Sequence, residues 1–425
     1  MPGPAPSAND VIDRQHVSLP WYESLNPVVR GGHEVALLES GREFFPALED
    51  AIGTAVDCIY LETYIFNDDP SGRRVAQALA AAARRGVAVH LIVDGFGTAP
   101  GDGQWQQTLR AAGVRLQTFR PDRRRFALDR QRLRRLHRKL AVIDGRVAFV
   151  GGINVLDDWY DPNHGRLDDP RLDYAVRVRG PLVAQAHVAA ARLWWEVATV
   201  NRSLRRGADG TATGWPTWLQ LPDPVASEVT PAGRVRAALM LRDNLRHRRT
   251  IERAYLRAMG RARREVLLAS AYFLPGVRFR RALLAAVRRG VRVRLLLQGK
   301  VEYRLPHYGT QALYDELLRG GVEIIEYRRS FLHAKVAVID DWATVGSSNI
   351  DPFSLLLARE ANVGVHDTAF ARALRARLDA AIEAGGVPIR LQSHQRRPWP
   401  VRMMNALAFL VLRVGVALSG AGSRY

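Results

Sequence analysis

The sequence predicts an α/β protein with two domains, each containing a central mixed sheet flanked by helices. The chain of 425 residues is longer than one ordinary domain, which favours two. Apolar strand-like runs alternate with helical stretches, and the whole alternation occurs twice. A hydrophobic share of 47% with 24% charged residues is a globular composition and excludes a mainly disordered or fibrous chain.

The repeated unit reads helix, strand, helix and strand, and the second helix of each copy ends at a glycine. Gly86 and Gly290 occupy the position after a helix C-terminus, where glycine is favoured. A further helix and a short strand follow in both copies. The first copy has a helix at 43–54, a strand at 58–66, a strand in AVHLIVDG, a helix at 106–112 and a strand at 114–119. The second has a helix at 250–263, a strand at 266–273, a strand in RVRLLLQG, a helix at 310–319 and a strand at 322–327.

Composition places boundaries around these copies. The segment between them is rich in Gly, Thr and Pro and has neither helical nor strand periodicity, which is typical of a linker. The predicted divisions are an N-terminal extension (1–31), a first domain (32–203), a linker (204–231), a second domain (232–390) and a C-terminal basic and apolar segment (391–425).

The charge balance points to an anionic partner. A net charge of +20 favours binding to a large anionic surface, either nucleic acid or anionic lipid. The single cysteine, Cys58, excludes a disulfide framework within the chain and a cluster of thiolate metal ligands.

The C-terminal run from 401 to 418 is apolar, but Arg402, Asn405 and Arg413 interrupt it. No uncharged apolar window reaches the roughly 18 residues that favour a transmembrane helix, so none is predicted. Trp399 and the arginines favour a helix that lies at a membrane interface. A helix that docks on the protein core or on a partner is the alternative interpretation.

One short pattern of His, Lys and Asp occurs once in each copy. On a strand, a His and a Lys two positions apart project from the same face, so both can address one anion. The imidazole then attacks or carries a proton, and the ammonium neutralises charge on the oxygens. Lysine occupies only three positions among 62 basic residues, and two of the three lie in this pattern. The pattern comprises His137, Lys139 and Asp144 in the first copy, and His333, Lys335 and Asp340 in the second.

A small-residue turn with an asparagine follows each pattern. The segments GGIN and GSSN end at Asn154 and Asn349. We expect the glycines to let the backbone approach an anion closely and the asparagines to donate amide hydrogen bonds. No metal-ligand cluster or nucleotide-binding loop competes with this interpretation, so no metal or cofactor is predicted.

These residues resemble the phospholipase D superfamily, whose HxKxxxxD signature occurs twice and is followed by a Gly-rich segment with Asn. The similarity runs from about residue 32 to 387, and the chain looks most like bacterial cardiolipin synthases of the shorter form without N-terminal transmembrane helices. LHRKLAVIDGRVAFVGGIN and HAKVAVIDDWATVGSSNIDPFSLLLAREANV carry it most strongly. The resemblance implies two phospholipase D-type α/β domains in a pseudo-twofold arrangement, with one active site at their interface.

The resemblance also implies metal-independent phosphatidyl transfer through a phosphohistidine. It favours His137 as nucleophile and His333 as general acid and base, although the residues alone leave this order open. Lys139, Lys335, Asn154 and Asn349 are then expected to bind the phosphate oxygens, Asp144 and Asp340 to hold the site together, and Asp173 and Glu360 each to orient the histidine of its own copy.

The implied function is cardiolipin synthesis, in which phosphatidylglycerol or another phospholipid donates a phosphatidyl group to phosphatidylglycerol and glycerol or another small alcohol is released. The resemblance also implies a peripheral protein at the cytoplasmic face of the bacterial cell membrane. Basic stretches before the motifs, at 123–139 and at Arg328 and Arg329, are expected to attract anionic headgroups. One alternative is a phospholipase D hydrolase that uses water. Another is a nuclease of the same superfamily, but the apolar C-terminal run counts against a nucleic-acid partner.

Overall fold

The computed structural model describes residues 27–98, 103–121, 135–209, 231–243, 247–352, 354 and 358–416. The helices are α1 (Ser40–Gly53), α2 (Pro70–Arg84), α3 (Gln104–Ala111), α4 (Leu182–Asp209), α5 (Thr250–Arg261), α6 (Val277–Arg288), α7 (Arg304–Gln311), α8 (Tyr314–Arg319), α9 (Thr368–Gly385), α10 (Leu391–Gln395) and α11 (Trp399–Val416). The strands of the first half are β1 (Arg30–Glu39), β2 (Cys58–Thr63), β3 (Ala88–Asp94), β4 (Arg115–Phe119), β5 (Lys139–Ile143), β6 (Val147–Gly151), β7 (Tyr160–Asp161), β8 (Gly165–Arg166) and β9 (Tyr174–Arg179). Those of the second half are β10 (Val235–Arg242), β11 (Glu265–Ser270), β12 (Arg292–Gln298), β13 (Glu323–Tyr327), β14 (Lys335–Ile339), β15 (Trp342–Gly346), β16 (Glu360–His366) and β17 (Gly386–Ile389).

Read outward from the middle, the strand order is the same in both halves, except that β17 adds an edge strand to the second half. The order is β17-β13-β12-β11-β14-β15-β16-β10-β1-β9-β6-β5-β2-β3-β4. The antiparallel pair β1 and β10 lies at the centre, with Arg30 opposite Ala237, and joins the two sheets edge to edge. Strands β2, β3 and β4, like β11, β12 and β13, pair in parallel, whereas the inner strands are antiparallel. The predicted mixed sheets flanked by helices are therefore confirmed, and the two sheets are continuous.

Local sequence explains the repeated helix of each copy. Asp69 caps α2, because its side chain accepts a hydrogen bond from Gly72 N at 2.8 Å, and Pro70 opens the first turn. Gly86 and Gly290, which follow α2 and α6, have φ angles of +95° and +84°. That left-handed conformation ends the helix as the sequence predicted.

The hydrophobic core has one shared part and two separate parts. Helices α4 and α9 cover one face of the continuous sheet, and a single apolar cluster there includes residues of both halves, such as Val142, Val183, Val338 and Leu374. Two further clusters lie one in each half, beneath α1 and α2 and beneath α5 and α6. Burial of each large aliphatic side chain stabilises the fold by about 1.5–3 kcal/mol, so the shared cluster holds the halves in one arrangement.

One predicted boundary differs from the structure. Helix α4 continues to Asp209, so residues 204–209 are helical rather than part of an irregular linker. The prediction relied on Gly, Thr and Pro content, which did not detect the last turns of this helix. The rest of the predicted linker up to residue 230 lies outside the described residues.

Candidate active site

The two motifs meet at the boundary between the halves. Each histidine lies two residues before a strand and is tied through its backbone to the opposite half. His137 N donates to Arg359 O at 3.0 Å, and His333 N donates to Leu172 O at 2.8 Å. Isolated parallel β-bridges next to the histidines also join the two halves; they pair Leu136 with Arg359 and Leu172 with Leu332. One site is therefore assembled from both copies.

The carboxylates that contact the histidines also come from the opposite half. His137 Nδ1 lies 3.0 Å from Glu360 Oε1, and His333 Nδ1 lies 2.6 Å from Asp173 Oδ2. The expectation that each carboxylate orients the histidine of its own copy is therefore wrong. The reason is that β9 and β16, which begin beside these carboxylates, flank the central pair β1 and β10 and so face the other half's motif.

Both imidazoles are set up as neutral bases. Burial lowers the pKa of His137, although Glu360 opposes the change. Burial also lowers the pKa of His333 well below 6.5, and the nearby Lys335 adds to this effect. Since a carboxylate accepts the hydrogen on Nδ1, the lone pair of each ring is placed on Nε2. Each histidine side chain is still 15% exposed, so a substrate can reach it.

The two lysines are buried beside the histidines. Lys139 Nζ donates to His137 O at 2.8 Å, and Lys335 Nζ donates to His333 O. Burial lowers the pKa of Lys139 to about 7 against the attraction of Glu360, and that of Lys335 to about 8 against Asp173. A bound anion stabilises the charged form of both amines, so the pair is suited to hold phosphate oxygens.

The asparagines are close to this group. Asn154 is buried, and its Oδ1 accepts a hydrogen bond from Ile65 N at 3.1 Å, which directs the amide nitrogen the other way. Asn349 is also buried, and its Nδ2 lies 3.4 Å from Ser354 Oγ. Asn154 follows β6 and Asn349 follows β15, the strands that pair with β5 and β14. The asparagines therefore lie at the same end of the sheet as the lysines.

The small residues before the asparagines pack closely against the neighbouring strand. A Cβ atom on Gly151 would lie 2.5 Å from the backbone of Ala175, and one on Gly152 would lie 2.3 Å from Asp173 Oδ1. In the second copy, Ser347 Oγ donates to Glu360 Oε2 at 2.5 Å. These residues therefore make room for the neighbouring strand and its carboxylate.

Asp144 and Asp340 do not contact the histidines or lysines. They follow the far ends of β5 and β14, five residues after the lysines, which is about 16 Å along the strand at roughly 3.3 Å per residue. Asp144 accepts hydrogen bonds from the backbone of Val56, Asp57 and Cys58 at 2.8–2.9 Å. Asp340 accepts equivalent bonds from residues 263–265 at 2.8–3.0 Å. A direct catalytic role is therefore excluded by distance, and the aspartates tie the hairpins to the start of β2 and β11.

Two residues that position the motifs were missed in the sequence. Asp94 Oδ2 accepts from Leu136 N at 2.8 Å, and Gln298 Oε1 accepts from Leu332 N at 3.0 Å. Each therefore fixes the residue before a histidine. The signal was present, because both residues end a matched strand and precede a glycine, in AVHLIVDG and RVRLLLQG.

Arg138 lies between His137 and Lys139 and points to the opposite side. Its guanidinium forms two hydrogen bonds of 2.6 Å with Glu62, and both side chains are buried. Glu62 therefore has a structural role. Of the basic stretches before the motifs, Arg328 and Arg329 form ion pairs with Glu326 and Asp169. Residues 122–134 of the other stretch lie outside the described part of the chain.

A pocket of about 860 Å³, including solvent at its mouth, opens at His333. Its wall includes residues of both halves, among them Asn154, Arg171, Asp173 and Glu302. Across the described residues, no group of three or more His, Cys, Asp or Glu side chains is arranged to hold a metal ion.

Comparison with known proteins identifies the family. A family model described as "Cardiolipin synthase, PLD-like domain" matches residues 48–164 and 255–382, and each match contains one motif. The chain belongs to this family. Cardiolipin synthase B of Escherichia coli (strain K12) is 40% identical over 403 residues, covering 92% of this chain and 90% of the relative. Cardiolipin synthase A of Pseudomonas putida (strain GB-1) is 31% identical over 340 residues, covering 80% and 66%.

Solved structures with the same fold include members outside the cardiolipin synthase family. Phosphatidylserine synthase of Haemophilus influenzae Rd KW20 has a TM-score of 0.63 at 12% identity, covering 93% of this chain and 97% of that one. Polyphosphate kinase of Porphyromonas gingivalis has a TM-score of 0.52 at 16% identity, covering 98% and 57%. At these identities the likeness concerns the fold alone, and it agrees with the predicted double α/β architecture.

Proposed function

We propose that this chain is a cardiolipin synthase that transfers a phosphatidyl group from one phosphatidylglycerol to another through a phosphohistidine on His137. The observation that carries the proposal is the crossed arrangement of two histidine–carboxylate pairs around two buried lysines. Such a set of groups provides a nucleophile, a proton carrier and fixed positive charge at one phosphorus atom.

In the first displacement, the Nε2 lone pair of His137 attacks the phosphorus of the donor lipid. The bond from phosphorus to the glycerol oxygen breaks, and His333 gives its proton to that oxygen. Lys139 and Lys335 hold the non-bridging oxygens, while the donor's negative charge offsets the lysines and raises the pKa of His333 so that it carries a proton. Glycerol leaves, and a phosphatidyl group remains on His137.

In the second displacement, His333 takes the proton from a headgroup hydroxyl of a second phosphatidylglycerol. The freed oxygen attacks phosphorus, and the bond to His137 Nε2 breaks. The products are cardiolipin and the original enzyme. One phosphodiester replaces another, so no energy carrier is consumed.

The C-terminal helix α11 supports action at a lipid surface. Ala408 and Leu412 are buried, and Arg397 and Asn405 contact Gln311 of α7, which fixes one face of α11 on the protein. The other face exposes Trp399, Met403, Leu407, Leu410 and Val414, which are 48–70% exposed. No described helix has the length and apolar composition needed to cross a bilayer. Insertion of this apolar face into one leaflet, with basic residues at the headgroups, gives peripheral attachment, which we place on the cytoplasmic face.

The decisive experiment separates the histidines. The purified protein is incubated with defined phosphatidylglycerol vesicles, and products and protein adducts are measured by mass spectrometry. Wild-type protein yields cardiolipin and glycerol, whereas His137→Ala yields neither product nor adduct. With bis(4-nitrophenyl) phosphate, whose leaving group needs no proton, His333→Ala still forms the adduct on His137. Phosphatidic acid as the main lipid product would favour the hydrolase instead, and an adduct on His333 would reverse the assigned order.

Attachment to lipid is tested by co-sedimentation with vesicles. Leu407→Glu combined with Leu410→Glu is expected to weaken binding to phosphatidylglycerol vesicles by about tenfold or more, because two exposed apolar side chains are lost. The matched control is Val200→Glu, an exposed apolar position on α4 that is 57% exposed. Equal loss in both variants would contradict a specific role for α11.

A further inference from the structure

The proposed chemistry fixes where the departing alcohol lies. In a displacement at phosphorus, the entering and leaving groups lie roughly in line, on opposite sides. If His137 attacks, the alcohol leaves on the side of His333, which protonates it. The incoming hydroxyl must occupy the same place in the second displacement, so one pocket serves both alcohols.

The pocket of about 860 Å³ lies on that side, since His333 contributes to its wall. Besides the asparagine and carboxylate near the phosphate, the wall includes Asn163, Arg171, Glu302 and Tyr303. The guanidinium of Arg171 is engaged by Asp161 Oδ2 at 2.7 Å. Asn163 Nδ2 lies 3.5 Å from the Tyr303 hydroxyl, so this part of the wall is polar and neutral.

Glu302 is a further acidic group of this wall, which also includes Asp161 and Asp158; Asp158 Oδ2 accepts a hydrogen bond from Gly41 N at 2.5 Å. The hydroxyl of Tyr272 donates to Glu302 Oε2 at 2.7 Å and so fixes the carboxylate. In the described part of the chain, no protein hydrogen bond is made to Oε1. A fixed carboxylate oxygen accepts hydrogen bonds from hydroxyl groups and repels a second carboxylate.

We infer that Glu302, held by Tyr272, forms a subsite for the hydroxyl groups of the alcohol and selects a glycerol head over one that carries a carboxylate beside its hydroxyls. This inference rests on the proposed function. On one side of the site the lysines bind the charged phosphate oxygens, and on the other side the Glu302 carboxylate accepts hydrogen bonds from the hydroxyl groups. An acceptor that carries its own carboxylate would lie against Glu302 and be disfavoured.

The test is a competition between two alcohols of nearly the same shape. The full-length protein is given phosphatidylglycerol vesicles with isotope-labelled glycerol and glycerate in equal amounts. In the exchange, the bond from phosphorus to the original glycerol breaks, the bond to His137 forms, and a labelled alcohol then replaces His137 and gives its proton to His333. Mass spectrometry measures the ratio of the two lipid products within each sample.

Wild-type protein is expected to favour glycerol, and Glu302→Gln to lower the glycerol-to-glycerate ratio by about tenfold or more, since like-charge repulsion is removed. Tyr272→Phe is expected to lower the ratio by a smaller factor, because the carboxylate loses its fixed position. The matched control is Glu323→Gln, which changes an exposed carboxylate of β13 that pairs with Arg292 of β12 and should leave the ratio unchanged.

The experiment distinguishes failure of the Glu302 subsite from failure of the proposed function. If wild-type protein forms the His137 adduct but neither Glu302→Gln nor Tyr272→Phe changes the ratio, the subsite is wrong and the proposed function stands. If wild-type protein forms no adduct and no cardiolipin, the proposed function itself fails. Because the ratio is internal to each sample, a partial loss of folded protein does not obscure the result, and Tyr272→Phe provides a second variant if Glu302→Gln does not fold.

Discussion

Glu360 in the second half of the chain binds His137 in the first, with Oε1 3.0 Å from Nδ1. Asp173 in the first half binds His333 in the second at 2.6 Å. Neither copy of the repeat therefore contains a complete histidine–carboxylate pair. Each half supplies the orienting group that the other half needs, so the site exists only when the halves are assembled.

The crossed carboxylates should control catalysis rather than folding. Glu360→Gln and Asp173→Asn keep the shape but remove the negative acceptor that fixes the Nδ1–H form of each ring. We expect kcat to fall by about 10²–10⁴, by analogy with the amide replacement of a carboxylate that holds a catalytic histidine. Lipid product analysis measures the fall. Asp169→Asn, at an exposed ion pair with Arg329, is the control and should keep its activity. Near-normal kcat in Glu360→Gln would contradict the assigned role.

The motif aspartates should affect stability first. Asp144→Ala and Asp340→Ala each leave three backbone N–H groups without their acceptor, which we expect to cost about 1–3 kcal/mol of unfolding free energy. The thermal midpoint should drop, while folded protein still forms the His137 adduct. An unchanged midpoint together with lost adduct would instead show a direct part in the chemistry.

The buried pair of Arg138 and Glu62 should behave as one structural unit. Arg138→Leu leaves a buried carboxylate without its partner and is expected to destabilise the protein by about 3–5 kcal/mol. Glu62→Leu should do the same to the guanidinium. The double variant should recover part of the loss, because no uncompensated charge remains. Additive losses in thermal or denaturant unfolding would argue against this coupling.

Activity should decline on the alkaline side. The pKa of Lys139 is lowered to about 7 and that of Lys335 to about 8, so the ammonium charge is lost as pH rises through this range. Since kcat/KM reports the free enzyme, it should fall between about pH 7 and 8 and above. On the acid side, the lowered pKa of both histidines keeps them neutral below pH 6.5, so loss of activity should begin only at lower pH. A kcat/KM profile that stays flat to pH 9 would contradict charged lysines at the phosphate.

Chelation should leave the reaction intact. The positive charge at the phosphate is supplied by Lys139 and Lys335, which are side chains of the protein itself. Incubation with EDTA, followed by the lipid assay, should therefore give unchanged cardiolipin formation. A strong loss that added Mg²⁺ or Ca²⁺ restores would overturn the lysine assignment, and Lys139→Ala, which should be inactive with or without metal, provides the comparison.

Short-range patterns predicted much of the fold. Helix ends at Gly86 and Gly290 and strands within VLLAS and AVHLIV are visible because burial imposes a period and a left-handed turn favours glycine. Central strands β1 and β10 were not predicted, since neither belongs to the helix–strand repeat recognised in the sequence. The end of α4 was placed too early for a different reason: the last turns of this helix contain no distinctive sequence signal.

The sequence by itself determined the chemical groups: two copies of a His–Lys pair, their asparagines and the candidate carboxylates, because the type and spacing of residues are local properties. Tertiary structure decided which carboxylate contacts which histidine, that Asp144 and Asp340 hold hairpins away from the centre, and that Glu302, bound by Tyr272, reaches the pocket. These relationships join residues far apart in the chain, such as 137 with 360 and 173 with 333. They follow from the edge-to-edge pairing of β1 and β10, which places the end of each half-sheet against the motif of the other.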